Sequence, residues 1–236
     1  MKKVIQVILC FSFTCTALAQ GTIQFAVPNA QANAEGNSSA SDPFGSSSFR
    51  FQQVFSASQF GTTPFLINNI AFRIDGASTG PVGWSFGGST IQFSTTTRTP
   101  DSLSPVFADN IGSDVTTVRN GAIPIGGSFQ SGVSPQPFGS GISTAPFLYN
   151  PAQGNLLLDI RGRSGLTLFP GSLDGESTIG DSVSWVFANS ELPASGTANS
   201  FGLITRFDVT VLPEPGTWML GLLGLAMFVI FRRRKA

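Results

Sequence analysis

The sequence predicts an all-β fold, an antiparallel two-sheet β-sandwich similar to a jelly roll. Short segments in which apolar and polar residues alternate recur along the chain, which is typical of half-buried antiparallel strands. Segments rich in Gly, Pro, Asn and Asp separate them and supply the backbone conformations that turns require. The body of the chain has no window of about 11 residues with the apolar stripe of an amphipathic helix. About ten short strands of this kind suit two stacked sheets.

The predicted strands are spread over the whole body of the chain. In order they are TIQFAV from Thr22, FRFQQVF from Phe49, NIAFRID from Asn69, TIQFST from Thr90, PFLYN from Pro146, NLLLDIRG from Asn155, LTLF from Leu166, SVSWVF from Ser182 and LITRFDVTV from Leu203. In NIAFRID the larger apolar residues share one face, so Arg73 is expected on the opposite, solvated face. The same alternation in NLLLDIRG places Asp159 on the solvated face.

Two stretches of the body depart from this pattern. Residues 28–48, PNAQANAEGNSSASDPFGSSS, are small and polar, so they are expected to form a flexible loop between the first two strands. The stretch PDSLSPVFADNIG after Thr99 is expected to hold one helical turn, capped by Asp101 or Ser102. Residues 20–212, with both stretches included, are predicted to form a single exported β domain.

Phenylalanine dominates the aromatic residues and predicts how the sandwich is filled. Of the 22 phenylalanines all but four lie in the body, many on the apolar face of a predicted strand, where they are expected to fill the space between the sheets. Trp185, between Val183 and Phe187, is expected in the same core. Trp84 lies in the Gly-flanked stretch GPVGWSFGG and is the candidate for an exposed aromatic ring that stacks on a sugar.

The charge of the body argues against a nucleic-acid partner. The net charge of the whole chain is zero, but its lysines and three of its arginines lie at the two ends. Between Gln20 and Leu212, seven arginines face twelve carboxylates, which leaves a charge of −5. A surface of this sign is repelled by phosphate backbones.

Missing residue types exclude several kinds of chemistry. The chain has no histidine, its body has no lysine, and Cys10 and Cys15 both lie near the N-terminus. Catalytic triads, Ser-Lys dyads, Schiff bases and metal sites with nitrogen or sulfur ligands therefore lack their essential groups. We expect no enzyme activity and no cofactor. Paired carboxylates in a glycosidase are the remaining catalytic alternative.

Two acidic segments of the body could supply oxygen ligands to a structural calcium ion. They are DGESTIGD, with Asp174, Glu176 and Asp181, and ADNIGSD, with Asp109, Asn110 and Asp114. Neither has the spacing of a calcium-binding loop, and acidic turn residues commonly accept hydrogen bonds from their own backbone. The structural interpretation of these residues is therefore favoured.

The first 19 residues, MKKVIQVILCFSFTCTALA, predict a secretory signal peptide. Two lysines precede an apolar core that begins at Val4, and the segment closes on the small residues Ala17 and Ala19. Cleavage is expected after Ala19 and would remove both cysteines. The mature chain would then have no disulfide bond, so packing alone would hold its fold.

Residues 213–236 form a tail with three parts. Pro213, Glu214 and Pro215 come first and favour an extended backbone. The uncharged apolar run 217–231 follows and, as a helix, would rise ~22 Å, which makes a short membrane span. By the positive-inside rule, the basic cluster after it is expected to stay in the cytoplasm. This cluster is Arg232, Arg233, Arg234 and Lys235.

The order of Leu212-Pro213-Glu214-Pro215, the Gly-rich apolar run and the terminal RRRK closely resembles the PEP-CTERM sorting domain of Gram-negative bacteria. The resemblance covers about the last 25 residues, and Gly216 stands where Ser or Thr is common. It implies that an exosortase processes the tail at or near Pro-Glu-Pro and releases the protein from the inner membrane to the envelope or to an extracellular polysaccharide matrix. A plain C-terminal membrane anchor is the alternative.

Tails of this type also carry an ice-binding label in some classifications. Because the body has no repeat of fixed period, ice binding is not expected. Two hypotheses for the body follow. In the first, it is a non-catalytic structural or adhesive component of the cell surface or biofilm matrix. In the second, it is a carbohydrate-binding module of the envelope, in which Trp84 and a neighbouring Phe line a groove beside polar side chains.

Overall fold

Antiparallel β-strands, joined by turns and short 3₁₀ helices, make up residues 21–212, the part of the chain that the computed structural model describes. The strands are β1 (Thr22–Val27), β2 (Ser38–Ala40), β3 (Phe49–Phe55), β4 (Phe65–Phe72), β5 (Val82–Thr96), β6 (Thr116–Asn120), β7 (Ile123–Gly127), β8 (Ile142–Tyr149), β9 (Asn155–Phe169), β10 (Leu173–Glu176), β11 (Val183–Ala188), β12 (Thr197–Asn199), β13 (Gly202–Leu203) and β14 (Thr205–Val211). The 3₁₀ helices are Asn29–Gln31, Ala57–Gln59, Phe107–Asn110 and Pro151–Gln153. The all-β prediction is confirmed, and each predicted strand coincides with or overlaps an observed one.

The strands of the described region form three sheets, where two were predicted. The largest has the order β12-β11-β3-β9-β5-β6, with β7 also paired to β5. A four-stranded sheet has the order β1-β14-β4-β8, and a small sheet has the order β13-β10-β2. Every strand pair in these sheets is antiparallel.

Phenylalanine rings from the two larger sheets meet in a shared core. The ring of Phe55 in β3 lies 4.9 Å from that of Phe207 in β14, measured between centroids. The ring of Phe93 in β5 lies 5.5 Å from that of Phe147 in β8. Each fully buried phenylalanine contributes roughly 1.5–3 kcal/mol relative to an exposed one. The predicted aromatic filling between sheets is therefore confirmed.

The longest strands, β5 and β9, pair along almost their whole lengths. The segments NLLLDIRG and LTLF, predicted as separate strands, are both parts of β9. In its first half, residues 156–162, β9 pairs with β3 as well as with β5. In its second half, residues 163–169, the ladder on the β3 side has ended, and within the described region β9 pairs with β5 alone.

The prediction of a flexible loop over residues 28–48 needs correction. Ser38–Ala40 forms β2 and pairs with β10, and Phe44 is buried with its ring 5.0 Å from that of Phe49. Arg73, expected on a solvated face, is only 1% exposed because this segment covers it. Its guanidinium donates hydrogen bonds to the carbonyl oxygens of Gln31 and Ala34.

The predicted helical turn after Thr99 is present but begins later than expected. It is the 3₁₀ helix Phe107–Asn110, which follows Val106 and has no side-chain cap. Asp101 instead accepts a hydrogen bond from the N–H of Gly180 at 2.7 Å, so the predicted capping role of Asp101 or Ser102 is wrong. The turn lies where it buries the side chain of Phe107 against the large sheet.

The segment around Phe107 covers the outer face of the large sheet and buries Asp159. This carboxylate was expected in solvent, but it lies 2.7 Å from Nη2 of Arg50 and accepts a hydrogen bond from Nε2 of Gln52 at 2.8 Å. Gln52 also donates to the carbonyl oxygen of Phe107. A second, smaller apolar cluster lies on the same face, formed by Val54, Leu103, Phe107, Leu157 and Val186.

Candidate functional site

The candidate functional site is the end of the domain at which the chain passes into its C-terminal tail. The strand that leads there, β14, lies between β1 and β4 in the four-stranded sheet. Its alternate residues Phe207 and Val209 are fully buried. Val211, its last residue, is half-buried and lies opposite Phe65 of β4. The domain therefore holds the chain firmly almost up to the predicted tail.

The pairing of β1 with β14 brings the two ends of the domain together. Thr22 lies opposite Thr210. The predicted signal cleavage follows Ala19, three residues before Thr22, and Pro213 comes three residues after Thr210. The described chain therefore begins and ends at the same end of the β1–β14 ladder, and both predicted processing positions lie outside it.

Two segments flank the end of β14, where the chain leaves the domain, and neither of them contains a charged residue. Residues 61–64, GTTP, lead into Phe65, and residues 150–154, NPAQG, follow its other neighbour, Tyr149. The first charged groups met going back along β14 are Asp208 and Arg206, whose Oδ1 and Nε atoms lie 3.0 Å apart. These two charges pair with each other, and residues 209–211 at the end of β14 hold no charged side chain.

Most of the sorting residues predicted from the sequence lie outside the described residues. These are Ala17, Ala19, Pro213, Glu214, Pro215, the run 217–231, Arg232, Arg233, Arg234 and Lys235. Within residues 21–212, no helix has both the length and the apolar character needed to cross a membrane.

Residues 211–235 match the family model of the PEP-CTERM protein-sorting motif. The chain carries a PEP-CTERM sorting motif. The match begins at Val211, the last residue of β14, so the motif starts where the folded domain ends. The motif implies an exported, envelope-associated protein that is sorted by an exosortase. No curated protein and no solved structure matches the chain.

The structure places both tryptophans of the domain in its core. Trp84 is only 2% exposed, and its ring lies 6.1 Å from that of Phe44. The expected exposure of Trp84 is therefore wrong, although Trp84 lines the groove that also holds Phe169, and its role as a ligand contact stays a prediction. Trp185 is buried as predicted, with its ring 4.3 Å from Phe201 and 5.7 Å from Phe51.

The carboxylates of the first predicted calcium segment contact other protein groups. Asp174 is buried, with Oδ2 2.5 Å from Nε of Arg73, and its Oδ1 accepts a hydrogen bond from the N–H of Gly36 at 3.0 Å. Burial raises the pKa of Asp174 to about 6, while the charge of Arg73 acts to lower it. Glu176 accepts hydrogen bonds from the side chains of Gln31 and Thr178.

Asp181, the third carboxylate of that segment, lies apart from Asp174. Its Oδ1 accepts a hydrogen bond from the N–H of Val183 at 2.8 Å. Burial is the main cause that raises the pKa of Asp181 to about 6, and the nearby charges of Glu176 and Asp101 act in the same direction. Among the described residues, these three carboxylates do not form one group with metal-ligand spacing.

A different set of carboxylates does come together. Oxygens of Glu35, Asp75 and Asp174 lie within 4.8 Å of one another, which is a spacing that could hold a cation. Glu35 accepts hydrogen bonds from the N–H of Gly76 at 2.6 Å and from Oγ of Ser134 at 2.9 Å. Sequence analysis missed this group because its members come from three separate segments. Their hydrogen bonds fasten residues 28–48 to the rest of the domain.

The second predicted calcium segment is structural. The side chain of Asn110 is fully buried and bonds to Gln52 and to the backbone of Ser104. Asp109 accepts a hydrogen bond from Oγ of Ser104, and Asp114 accepts one from the N–H of Thr95. These bonds hold the covering segment against the large sheet, which agrees with the structural interpretation.

Proposed function

We propose that the protein is a non-catalytic component of the bacterial surface or exopolysaccharide matrix, delivered there by exosortase processing of its tail. The observation that carries the proposal is the motif match that begins at Val211, the last residue of a strand anchored in the core. Cleavage near Pro215 would then release the whole domain as a unit. The packing of the large sheet on the four-stranded sheet supports a two-layer, jelly-roll-like sandwich as the released scaffold.

The contacts of the buried carboxylates support a non-catalytic role. Asp159 and Asp174 pair with Arg50 and Arg73, and these pairs lie inside the protein rather than across an open cleft. A glycosidase needs two carboxyl groups that face a substrate, one of them free to donate a proton. Both carboxylates are instead buried and accept hydrogen bonds from the side chains of these arginines.

Processing is tested by replacing both prolines of the motif, Pro213→Ala together with Pro215→Ala, in the full-length chain. Mass spectrometry of protein from the envelope and the culture medium reads the C-terminus. We expect the unaltered protein to end near Pro215 and the variant to keep Ala236 and stay with the membrane. Pro170→Ala, at an exposed loop proline, should be processed normally. A truncated, released double variant would contradict the proposed route.

The role in the matrix is tested separately with the processed protein. We expect it to sediment with exopolysaccharide isolated from the producing cells, and to be released at high dilution because each contact is weak. A processed protein that stays in the supernatant at every polysaccharide concentration would contradict the matrix role. It would leave the sorting route intact, since the route is read from the C-terminus alone.

The alternative, a carbohydrate-binding module, is favoured by one surface feature. Phe169 is the described aromatic residue with the most exposed ring, and it lines a groove together with Gln130 and Ser128. An aromatic face beside polar side chains suits a sugar ring. If this alternative holds, Phe169→Ala should abolish retardation of the protein in polysaccharide-containing gels, whereas Leu148→Ala should not. Equal retardation of both variants would remove the alternative.

A further inference from the structure

The loop 177–182, between β10 and β11, helps to hold residues 28–48 on the domain. The N–H of Ser177 donates a hydrogen bond to Oδ1 of Asn37 at 3.0 Å. Nδ2 of Asn37 donates one to Oγ1 of Thr178 at 2.8 Å. These bonds form only while the loop stays in place, so a change that moves the loop also loosens residues 28–48.

Three carboxylates lie around this loop and carry like charges. Glu176 directly precedes the loop and is only 5% exposed, and Asp181 lies within it. Asp101 comes from a distant segment, and its Oδ2 accepts a hydrogen bond from the N–H of Gly180 at 2.7 Å. Among residues 21–212, none of the three forms an ion pair with an arginine. Their mutual repulsion is therefore not offset by an ion pair.

Asp181 is the carboxylate of the three that has an oxygen without a donor. Its Oδ1 accepts the hydrogen bond from the N–H of Val183, but its Oδ2 is buried and receives no hydrogen bond from the described part of the chain. An ionised oxygen in this position is costly, and a bound proton removes the cost. The raised pKa of Asp181 agrees with this geometry, since burial and the charges of Glu176 and Asp101 all disfavour the ionised form.

The groove beside Asp181 is polar but has no cation among its lining residues. Segments 28–31 and 56–59 contribute uncharged residues, and the charged side chains in the lining are those of Glu176 and Asp181. Nε2 of Gln31 donates a hydrogen bond to Glu176 at 3.0 Å, whereas Oε1 of Gln31 is buried without a donor in the described region. A protonated carboxyl group gains an O–H donor, so it suits these surroundings better than a carboxylate does.

We propose that the loop 177–182 is a pH-dependent fastening for residues 28–48. In mild acid Asp181 binds a proton from solvent, the three carboxylates carry one negative charge fewer, and the loop packs firmly. At neutral pH Asp181 is ionised, and the repulsion from Glu176 and Asp101 loosens the loop together with residues 28–48. This response belongs to the folded domain and does not depend on its proposed role in the matrix.

The direction of the response follows from proton linkage. The pKa of Asp181 is about 6 in the folded domain, above its ordinary value of 3.8. The closed loop therefore binds the proton more tightly than the open loop does, and this advantage is lost as the pH rises to about 6. Because Asp181 is partly exposed, solvent reduces the effect. We expect a several-fold change, at most about tenfold, in the opening of the loop between pH 5 and pH 7.

The decisive experiment is hydrogen exchange read by mass spectrometry, on protein exported from cells that express the full-length chain. The protection of residues 177–183 is compared at pH 5 and pH 7, after division by the intrinsic exchange rate at each pH. We expect the unaltered protein to be protected several-fold less at pH 7. Asp181→Asn carries no charge at either pH, so its loop should have the same protection at both.

Asp42→Asn is the matched control, because Asp42 is an exposed aspartate outside the loop. It should respond to pH like the unaltered protein, and thermal melting at both pH values confirms that each variant is folded. Asp174 also has a pKa of about 6 and stays in place in both variants. The proposal is overturned if the unaltered loop is equally protected at both pH values. It is also overturned if Asp181→Asn keeps the full response, because the response would then come from another group such as Asp174.

Discussion

The two halves of β9 contain similar residues but have opposite environments. Leu158 in the first half is fully buried, whereas Leu168 in the second half is about half exposed. The first half has a strand on each side and packed layers on both faces. The second half has a strand on one side within the described region and small residues opposite its apolar side chains. The burial of these leucines is therefore decided by the strands and layers that surround them and not by residue type.

The charged residues of β9 also differ in burial between its two halves. Asp159, in the first half, is buried between Arg50 and Gln52. Arg163, in the second half, is largely exposed and approaches Glu191 at 3.8 Å. A buried ion pair is expensive to break, whereas an exposed one contributes little. Substitutions in the two halves of this strand can therefore test the cost of breaking a buried ion pair against that of breaking an exposed one.

The largest expected effect comes from removing the buried charge. Asp159→Ala leaves the guanidinium of Arg50 buried without its carboxylate, so we expect a loss of about 3–5 kcal/mol in the free energy of unfolding. Glu191→Ala removes the exposed pair and should cost at most about 1 kcal/mol. Urea denaturation at neutral pH measures both. A loss below about 1 kcal/mol for Asp159→Ala would mean that solvent reaches this site.

The next effect comes from the leucines of the two halves. Leu158→Ala creates a cavity in the aromatic core, so we expect it to cost about 2–5 kcal/mol. Leu168→Ala removes a side chain that solvent already surrounds and should change the free energy of unfolding by no more than about 0.5 kcal/mol. Both are measured by urea denaturation at low protein concentration, where self-association does not contribute. Equal losses would show that the second half is covered in solution.

Local alternation was enough to predict most of the longer strands and the aromatic core, but it missed β2, β6, β7, β10 and β12. It reports which residues share a face of a strand, and this is a property of neighbouring residues in the sequence. It does not report whether a distant segment covers that face. Arg73 and Asp159 were assigned to solvent for this reason, since residues 28–48 cover the first and the segment around Phe107 covers the second.

The candidate sites also differ in whether the local sequence was enough to predict them. The sorting motif is contiguous, so its residues could be recognised from the sequence, and the family match confirms it. Trp84 was misjudged because its glycine neighbours indicated exposure, whereas in the structure they lie beside a buried ring. The open edge of β9 depends on where β3 stops pairing, at Gly162, and no local pattern encodes that position.

The smallest expected effect lies at the junction of the two halves. Ser164 has a φ of 56°, a left-handed conformation that costs a non-glycine residue about 1–2 kcal/mol. Ser164→Gly removes that cost but loses about 0.5–1 kcal/mol through the greater freedom of glycine in the unfolded chain. We therefore expect a gain of between about 0 and 1.5 kcal/mol in the free energy of unfolding.

Ser85→Gly provides the comparison, because Ser85 lies in the neighbouring β5 strand and is not among the residues with positive φ. It gains no relief of strain and should lose about 0.5–1 kcal/mol. The difference between the two urea midpoints is therefore the informative quantity, since both variants replace serine with glycine in adjacent strands. If Ser164→Gly loses as much as Ser85→Gly, the left-handed residue does not separate the two halves, and β9 continues as a regular strand into its open edge.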